Sequence, residues 1–160
     1  KEIKKREVGG EPVADLHVRH SVLTGIDVDP AIVPSMIDEF PILFVAAAMA
    51  EGRTSTTGLS ELRIKESDRL AAMAEGLRLA GVEIEERADG LIISGSGGAL
   101  LSGNLKTHVK THLDHRIAMS MAIAGLVSNK GIEIDDTAPI STSYPTFVES
   151  LNQLTGGNSE

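Results

Sequence analysis

Pro41-Ile42-Leu43-Phe44-Val45-Ala46-Ala47-Ala48-Met49-Ala50-Glu51, followed by Gly52, is the stretch on which the fold of this chain turns. Pro suits a first helical turn, the alanine-rich body favours helix, and Gly52 stands where a helix stops. This helix has almost no polar face. A helix that is apolar nearly all round has to be buried all round, so it is predicted to lie inside its domain. A second segment of the same kind follows, with Asp114 as cap and residues 117–127 as body.

Outward from these two helices, residues 13–18 alternate as a strand and residues 30–35 read as an irregular link. Residues 54–57 are β-prone. Residues 67–80 form a helix capped by Ser67 or Asp68 and ended by Gly81. Residues 82–86 and 91–94 make a hairpin around Asp89-Gly90, and residues 95–98 a loop. Residues 131–134 are a strand, and residues 145–154 a helix stopped by Gly156-Gly157. Strand, buried helix, strand, amphipathic helix and turn thus recur about twice, as a pattern rather than as identities. The fold class expected is α/β, built of repeated strand-helix units whose buried helices are surrounded by sheets.

The 160 residues suffice for one domain with one sizeable core. A net charge of −8, with three Phe, one Tyr and no Trp, excludes a general nucleic-acid binder, which needs basic stripes or stacking faces. The one basic block, residues 1–6, reads as a solvated terminus or edge strand. Without cysteine there are no disulfides, thiolate metal sites or cysteine nucleophiles here, which suits a cytoplasmic protein. No signal peptide is visible, and Lys1 in place of Met is read as a start partway through something longer. The longest apolar run, residues 41–50, is about half of what a bilayer needs, so no membrane is expected as a partner.

Four polar clusters stand directly before predicted helices: Asp38-Glu39, Lys65-Glu66-Ser67-Asp68-Arg69, Asp114-His115-Arg116 and Ser141-Thr142-Ser143. Helix starts carry unpaired N–H groups and partial positive charge, so acids and hydroxyls there are explained as caps. Lys65, Arg69 and Arg116 are not, because a cation at a helix start is disfavoured by roughly 0.3 to 1 kcal/mol. Either neighbouring acids neutralise them, or they face an anion that the helix starts also favour. His108, His112 and His115 resemble a metal cluster by spacing. In an extended strand, however, the rings of His108 and His112 would lie about 13 Å apart, too far to share an ion. No metal is expected. His17 and His20 have no partner pattern. The glycines of residues 95–98 precede neither a Lys-Ser/Thr pair nor a clear helix, so they suit a loop tip better than a phosphate cradle.

The runs Met36-Ile37-Asp38-Glu39-Phe40-Pro41, Leu62-Arg63-Ile64-Lys65-Glu66-Ser67-Asp68-Arg69-Leu70, Asp114-His115-Arg116 with Ile117-Ala118-Met119, and Thr142-Ser143-Tyr144-Pro145-Thr146-Phe147 resemble the EPSP synthase family of enolpyruvyl transferases in order and spacing. The resemblance spans about residues 13–154, and the wording around Asp38 looks like the second bacterial class. It implies two similar domains with helices inside and sheets outside. This chain would be most of the C-terminal domain, without its opening unit and without the N-terminal domain. The implied substrates are phosphoenolpyruvate and shikimate 3-phosphate, bound between the domains, with no cofactor. By resemblance Asp38 serves the attacking hydroxyl and Glu66 moves the proton at C3. Lys65 lies near the shikimate hydroxyls, Arg69 and Arg116 grip phosphoenolpyruvate, and His115 hydrogen-bonds beside them. Two departures stand out: Thr142 where many members have Lys, and Glu61 where some have Asn.

Three rivals follow. A sibling transferase acting on a nucleotide sugar shares fold and chemistry, but has an apolar residue where His115 stands. A non-catalytic anion-binding or assembly module would use the same helix starts with Asp38 as a plain cap. A purely structural fragment would bind neither anion.

Overall fold

The computed structural model describes residues 1–103 and 107–156. The basic start forms an exposed edge: β1 (Glu2–Val8) pairs antiparallel with β2 (Glu11–Leu16) around Gly9-Gly10. β2 therefore begins two residues before the expected strand.

Residues 30–35, expected as an irregular link, are helical instead. A 3-10 turn at Pro30–Ile32 runs into α1 (Val33–Met36). Asp29 is the reason: its carboxylate accepts the Ala31 N–H at 2.9 Å, and Pro30 sits where a missing N–H costs nothing. A second 3-10 turn, Ile37–Glu39, leads into α2 (Phe40–Met49). Pro30–Met49 is thus a helical stretch of 20 residues, long and apolar enough by those measures alone to cross a bilayer. Its packing is that of a core element. Phe40, Phe44, Val45, Ala47 and Ala48 are buried, and Asp38 and Glu39 interrupt the apolar run.

β3 (Arg53–Ser55) and a 3-10 turn at Ser60–Ile64 precede α3 (Arg69–Leu79). The predicted hairpin follows as β4 (Glu83–Arg87) and β5 (Gly90–Ser94). β5 lies between β3 and β4, antiparallel to both, with Leu91, Ile92 and Ile93 buried. Buried Thr56 extends this edge, donating its hydroxyl to the Leu91 carbonyl at 3.1 Å and accepting the Leu91 N–H at 2.9 Å. The loop of residues 95–98 then closes the end of α2. Ser96, Gly97 and Gly98 donate their N–H groups to the carbonyls of Ala48, Ala50 and Met49 at 2.8 to 2.9 Å. Those donors are already committed, which is why this loop is no phosphate cradle.

β6 (Thr107–Val109) and β7 (Ile132–Ile134) are parallel, joined by a crossover through α4 (His115–Leu126). α5 (Ile140–Ser143) and α6 (Phe147–Thr155) complete the chain. Ser141, Thr142 and Ser143 were expected just before a helix; they form a helical turn of their own. α6 ends at left-handed Gly156, and Gly157 lies outside the described residues.

α2, α3 and α4 pack on one another to make the core. The expectation that α2 and α4 are enclosed all round needs correction. α4 buries Ile117, Ala118, Ser120, Met121 and Ala124, but Met119 and Ile123 line an open groove with Ile42, Tyr144 and Phe147. No residue of α6 is buried. β6 ends at Val109, so the strand supposed in the argument against a metal covers only its first part, and the chain turns at left-handed His112 and Leu113, at φ 53° and 61°. Among the described residues no three His, Asp or Glu side chains are placed to hold one.

Candidate active site

Three of the four polar clusters meet on one face. The start of α3 is fixed first. Asp68 caps it, accepting the Ala71 N–H at 3.0 Å, and Arg63 holds Asp68 through two bonds of 2.9 and 3.1 Å. The same guanidinium reaches Glu86 at 3.1 Å and the carbonyls of Arg87 and Ala88 at 2.6 and 2.7 Å. Arg63 was not singled out in the sequence, because a spacing of five from Asp68 matches no helical or strand pairing.

Arg69 opens α3 and is only 1% exposed. A buried guanidinium needs partners on every side. Nε donates to Asp114 Oδ2 at 2.8 Å, Nη1 to Asp38 Oδ1 at 3.0 Å, and Nη2 to Glu66. Asp114, at 0% exposure, also accepts the Ser67 hydroxyl at 3.0 Å and the Arg116 N–H at 2.9 Å, and so caps α4. Burial alone would raise the Asp114 pKa. The Arg69 hydrogen bond and charge, with the Ser67 and Arg116 bonds, hold it below the usual carboxylate value.

Asp38 is the meeting point. Its carboxylate lies 3.6 Å from Lys65 Nζ, 3.0 Å from Arg69 Nη1 and 3.8 Å from Arg116 Nη2, and its carbonyl accepts Arg116 Nη1 at 2.8 Å. Partial burial pulls its pKa up, but the charges of Arg116, Lys65 and Arg69 outweigh that and lower it. Lys65 also pairs with Glu61, and Arg116 lies 3.6 Å from Glu39. The first of the two sequence readings of these cations, neutralisation by neighbouring acids, is what the geometry shows. Each has an acid beside it, and all three converge on one carboxylate.

His115 is the first residue of α4, half-buried, and its ring makes no hydrogen bond among the described residues. The Ser141 and Thr142 hydroxyls donate back to the carbonyls of Ala138 and Pro139 at 2.8 and 2.7 Å, within their own turn. Just after them, Tyr144 and Phe147 meet edge to face at 5.8 Å and share the open groove with Asp38 and Arg116. Both belong to the run of residues 142–147 that carries the resemblance, but neither was given a role in the site, since a Tyr and a Phe three apart look like ordinary helix packing.

The arrangement is a carboxylate of lowered pKa with three cations around it, and a second carboxylate, Glu66, on the buried arginine. Comparison with known proteins gives it a context. The model of the EPSP synthase (3-phosphoshikimate 1-carboxyvinyltransferase) family matches residues 1–151. A 3-phosphoshikimate 1-carboxyvinyltransferase of Novosphingobium aromaticivorans is 66% identical over 155 residues, covering 96% of this chain and 35% of the relative. One from Sphingopyxis alaskensis is 64% identical over 152 residues, covering 95% and 34%. A solved EPSP synthase from Acinetobacter baumannii superposes with a TM-score of 0.90 at 44% identity, over 96% of this chain and 35% of that one. The chain spans about a third of the length of these relatives. With nearly all of its residues matched by one family model, it belongs to the EPSP synthase family.

Proposed function

We propose that this chain carries part of the active site for transfer of the enolpyruvyl group from phosphoenolpyruvate to the 5-hydroxyl of shikimate 3-phosphate, with release of phosphate. The observation that carries this reading is the convergence of Lys65, Arg69 and Arg116 on Asp38. Asp38, kept ionised by those charges, accepts the proton of the attacking hydroxyl as its oxygen bonds to C2. Glu66 delivers a proton to C3. In the second half the tetrahedral adduct expels phosphate, and the C3 proton returns to a carboxylate. Arg116, 31% exposed, is open enough to receive a phosphate or carboxylate with its planar fork. Arg69 is committed on three sides, so an anion reaching it displaces Glu66 or Asp38 from its outer N–H groups. Lys65 stands beside the hydroxyl acceptor and His115 beside the anion. Such groups, fixed before the charge develops, stabilise the departing phosphate.

The relatives are about three times as long as this chain. We propose an N-terminal domain as its partner, closing over the face of Asp38 and adding further contacts to both anions. A cytoplasmic setting goes with this reading. Alone, the chain is expected to bind its anions weakly and to turn over nothing.

The test mixes the chain with the complementary two-thirds of the Novosphingobium relative and follows phosphate release from phosphoenolpyruvate. Release should require both parts and shikimate 3-phosphate, and Asp38→Asn should lower it about a hundredfold or more. Parts that associate yet release nothing would turn the reading toward an anion-binding module.

A further inference from the structure

We infer that Asp114 is a positioning residue that sets both arginines of the anion site through one buried carboxylate. The inference rests on the reading above that Arg69 and Arg116 grip phosphoenolpyruvate. Oδ2 takes the Arg69 Nε–H at 2.8 Å and the Ser67 hydroxyl at 3.0 Å, while Oδ1 takes the Arg116 N–H at 2.9 Å. Arg69 lies at the start of α3 and Arg116 at the start of α4, so this carboxylate joins two strand-helix units where both present a cation. Holding Arg69 by Nε turns Nη1 and Nη2 outward, toward Asp38 and Glu66. An incoming phosphate or carboxylate meets that edge.

Asp114 is itself tightly placed. Its N–H donates to the Thr111 carbonyl at 3.0 Å, and Thr111 is tied to Asp135 Oδ1 through its N–H at 2.9 Å and its hydroxyl at 2.8 Å. Between Thr111 and Asp114 the chain passes through two consecutive left-handed residues, His112 and Leu113, at φ 53° and 61°. L-residues adopt that conformation only where their surroundings impose it.

Asparagine separates positioning from capping. Asn caps a helix as well as Asp does, so the Asp114→Asn amide oxygen can keep the Arg116 N–H. Its NH2 group would then face Arg69 Nε–H, donor against donor. If Asp114 only caps α4, the substitution is silent at Arg69.

The experiment uses the full 160-residue chain labelled with nitrogen-15, and follows the assigned Arg69 Nε–H resonance and its exchange with water. Phosphoenolpyruvate is then titrated into wild type, Asp114→Asn and Ser67→Ala. Expected are a protected Arg69 Nε–H in wild type, its loss in Asp114→Asn, and an affinity for phosphoenolpyruvate lower by about tenfold or more. An Asp114→Asn chain that keeps the protected resonance, or binds phosphoenolpyruvate as wild type does, overturns the inference. Should Asp114→Asn fail to fold, Ser67→Ala decides. Faster Arg69 Nε–H exchange and weaker binding at unchanged thermal midpoint support positioning, and wild-type behaviour in both refutes it. A wild-type chain that ignores phosphoenolpyruvate counts against the proposed function, and positioning is then judged on the Arg69 resonance alone.

Discussion

Asp114 and Arg69 face each other at 2.8 Å with 0% and 1% of their side chains exposed. Taking two charges out of water costs several kcal/mol each, so such a pair adds little net stability, yet losing one partner is severe. Arg69→Ala is expected to destabilise the chain by about 3 to 5 kcal/mol near neutral pH, measured by urea unfolding. The pH dependence has a definite sign. Against the opposite pull of burial, the pKa values of Asp114, Asp38 and Asp135 are lowered in the folded chain below the ordinary carboxylate value, by the Arg69 bond and charge, by the Arg116, Lys65 and Arg69 charges, and by the Thr111 and Asp136 bonds respectively. The folded state then binds fewer protons than the unfolded one between the lowered values and about 4. Stability from these groups is fully present above about pH 5 and is lost as pH falls through the folded values. Wild type should lose thermal stability in that acid range, and its advantage over Arg69→Ala should shrink there. A gap that stays constant down to about pH 2.5 would show that Asp114 is not the group being compensated. Asp114 as a helix cap could be read from the sequence, because a cap is a local pattern. Its bond to Arg69 spans 45 residues and comes only from the packing of α3 on α4.

At the scale of elements, the loop of residues 95–98 shows how one helix end is finished by a distant strand end. A Cβ on Gly95 would lie 2.1 Å from the Ala50 carbonyl oxygen and 2.6 Å from that of Ala47. Both are backbone atoms of the α2 terminus and cannot step aside. Gly97 is different: a Cβ there meets nothing within 4 Å, but φ is +64°. Gly97→Ala should therefore cost about 1 to 2 kcal/mol, the ordinary left-handed penalty. Gly95→Ala should cost more, about 3 kcal/mol, with α2 fraying at its end. Urea unfolding ranks the two, and hydrogen exchange at Ala50, whose N–H donates to the Ala47 carbonyl, shows whether the helix end opened. Equal costs would mean that the loop does not hold α2. The long elements were legible because apolar period, caps and terminal glycines agree over ten or more residues. α1 and α5 were not, because four residues are too few to show a period. The partners of the loop amides were hidden for another reason, since nothing in a glycine run says which carbonyls it will meet.

Over the whole molecule the apolar balance is unfinished, and this too was only half legible. Composition showed two helices that want burial, but it could not show that α4 covers α2 on one side alone. Ile42 is 40% exposed in the groove it shares with Met119, Ile123, Tyr144 and Phe147, and Val148, next to Phe147 in the sequence of α6, is 57% exposed. Contiguous apolar surface of this kind drives association, while a net charge of −8 opposes it by mutual repulsion. We therefore expect the chain to self-associate with rising concentration, and more strongly in salt, which screens the repulsion within about 10 Å at 0.1 M. Val148→Glu, at a position exposed enough to leave the fold alone, should shift the sedimentation equilibrium back toward monomer. Asp38 and Arg116 line the same groove, so association there covers the candidate site. Phosphoenolpyruvate should then compete and also favour the monomer. A chain that sediments as a monomer at every concentration and salt would show that the exposed stripe is tolerated in water. Association indifferent to both Val148→Glu and phosphoenolpyruvate would place the contact elsewhere, on the exposed edge of β1 and β2 or the apolar side of Leu23 and Ile26.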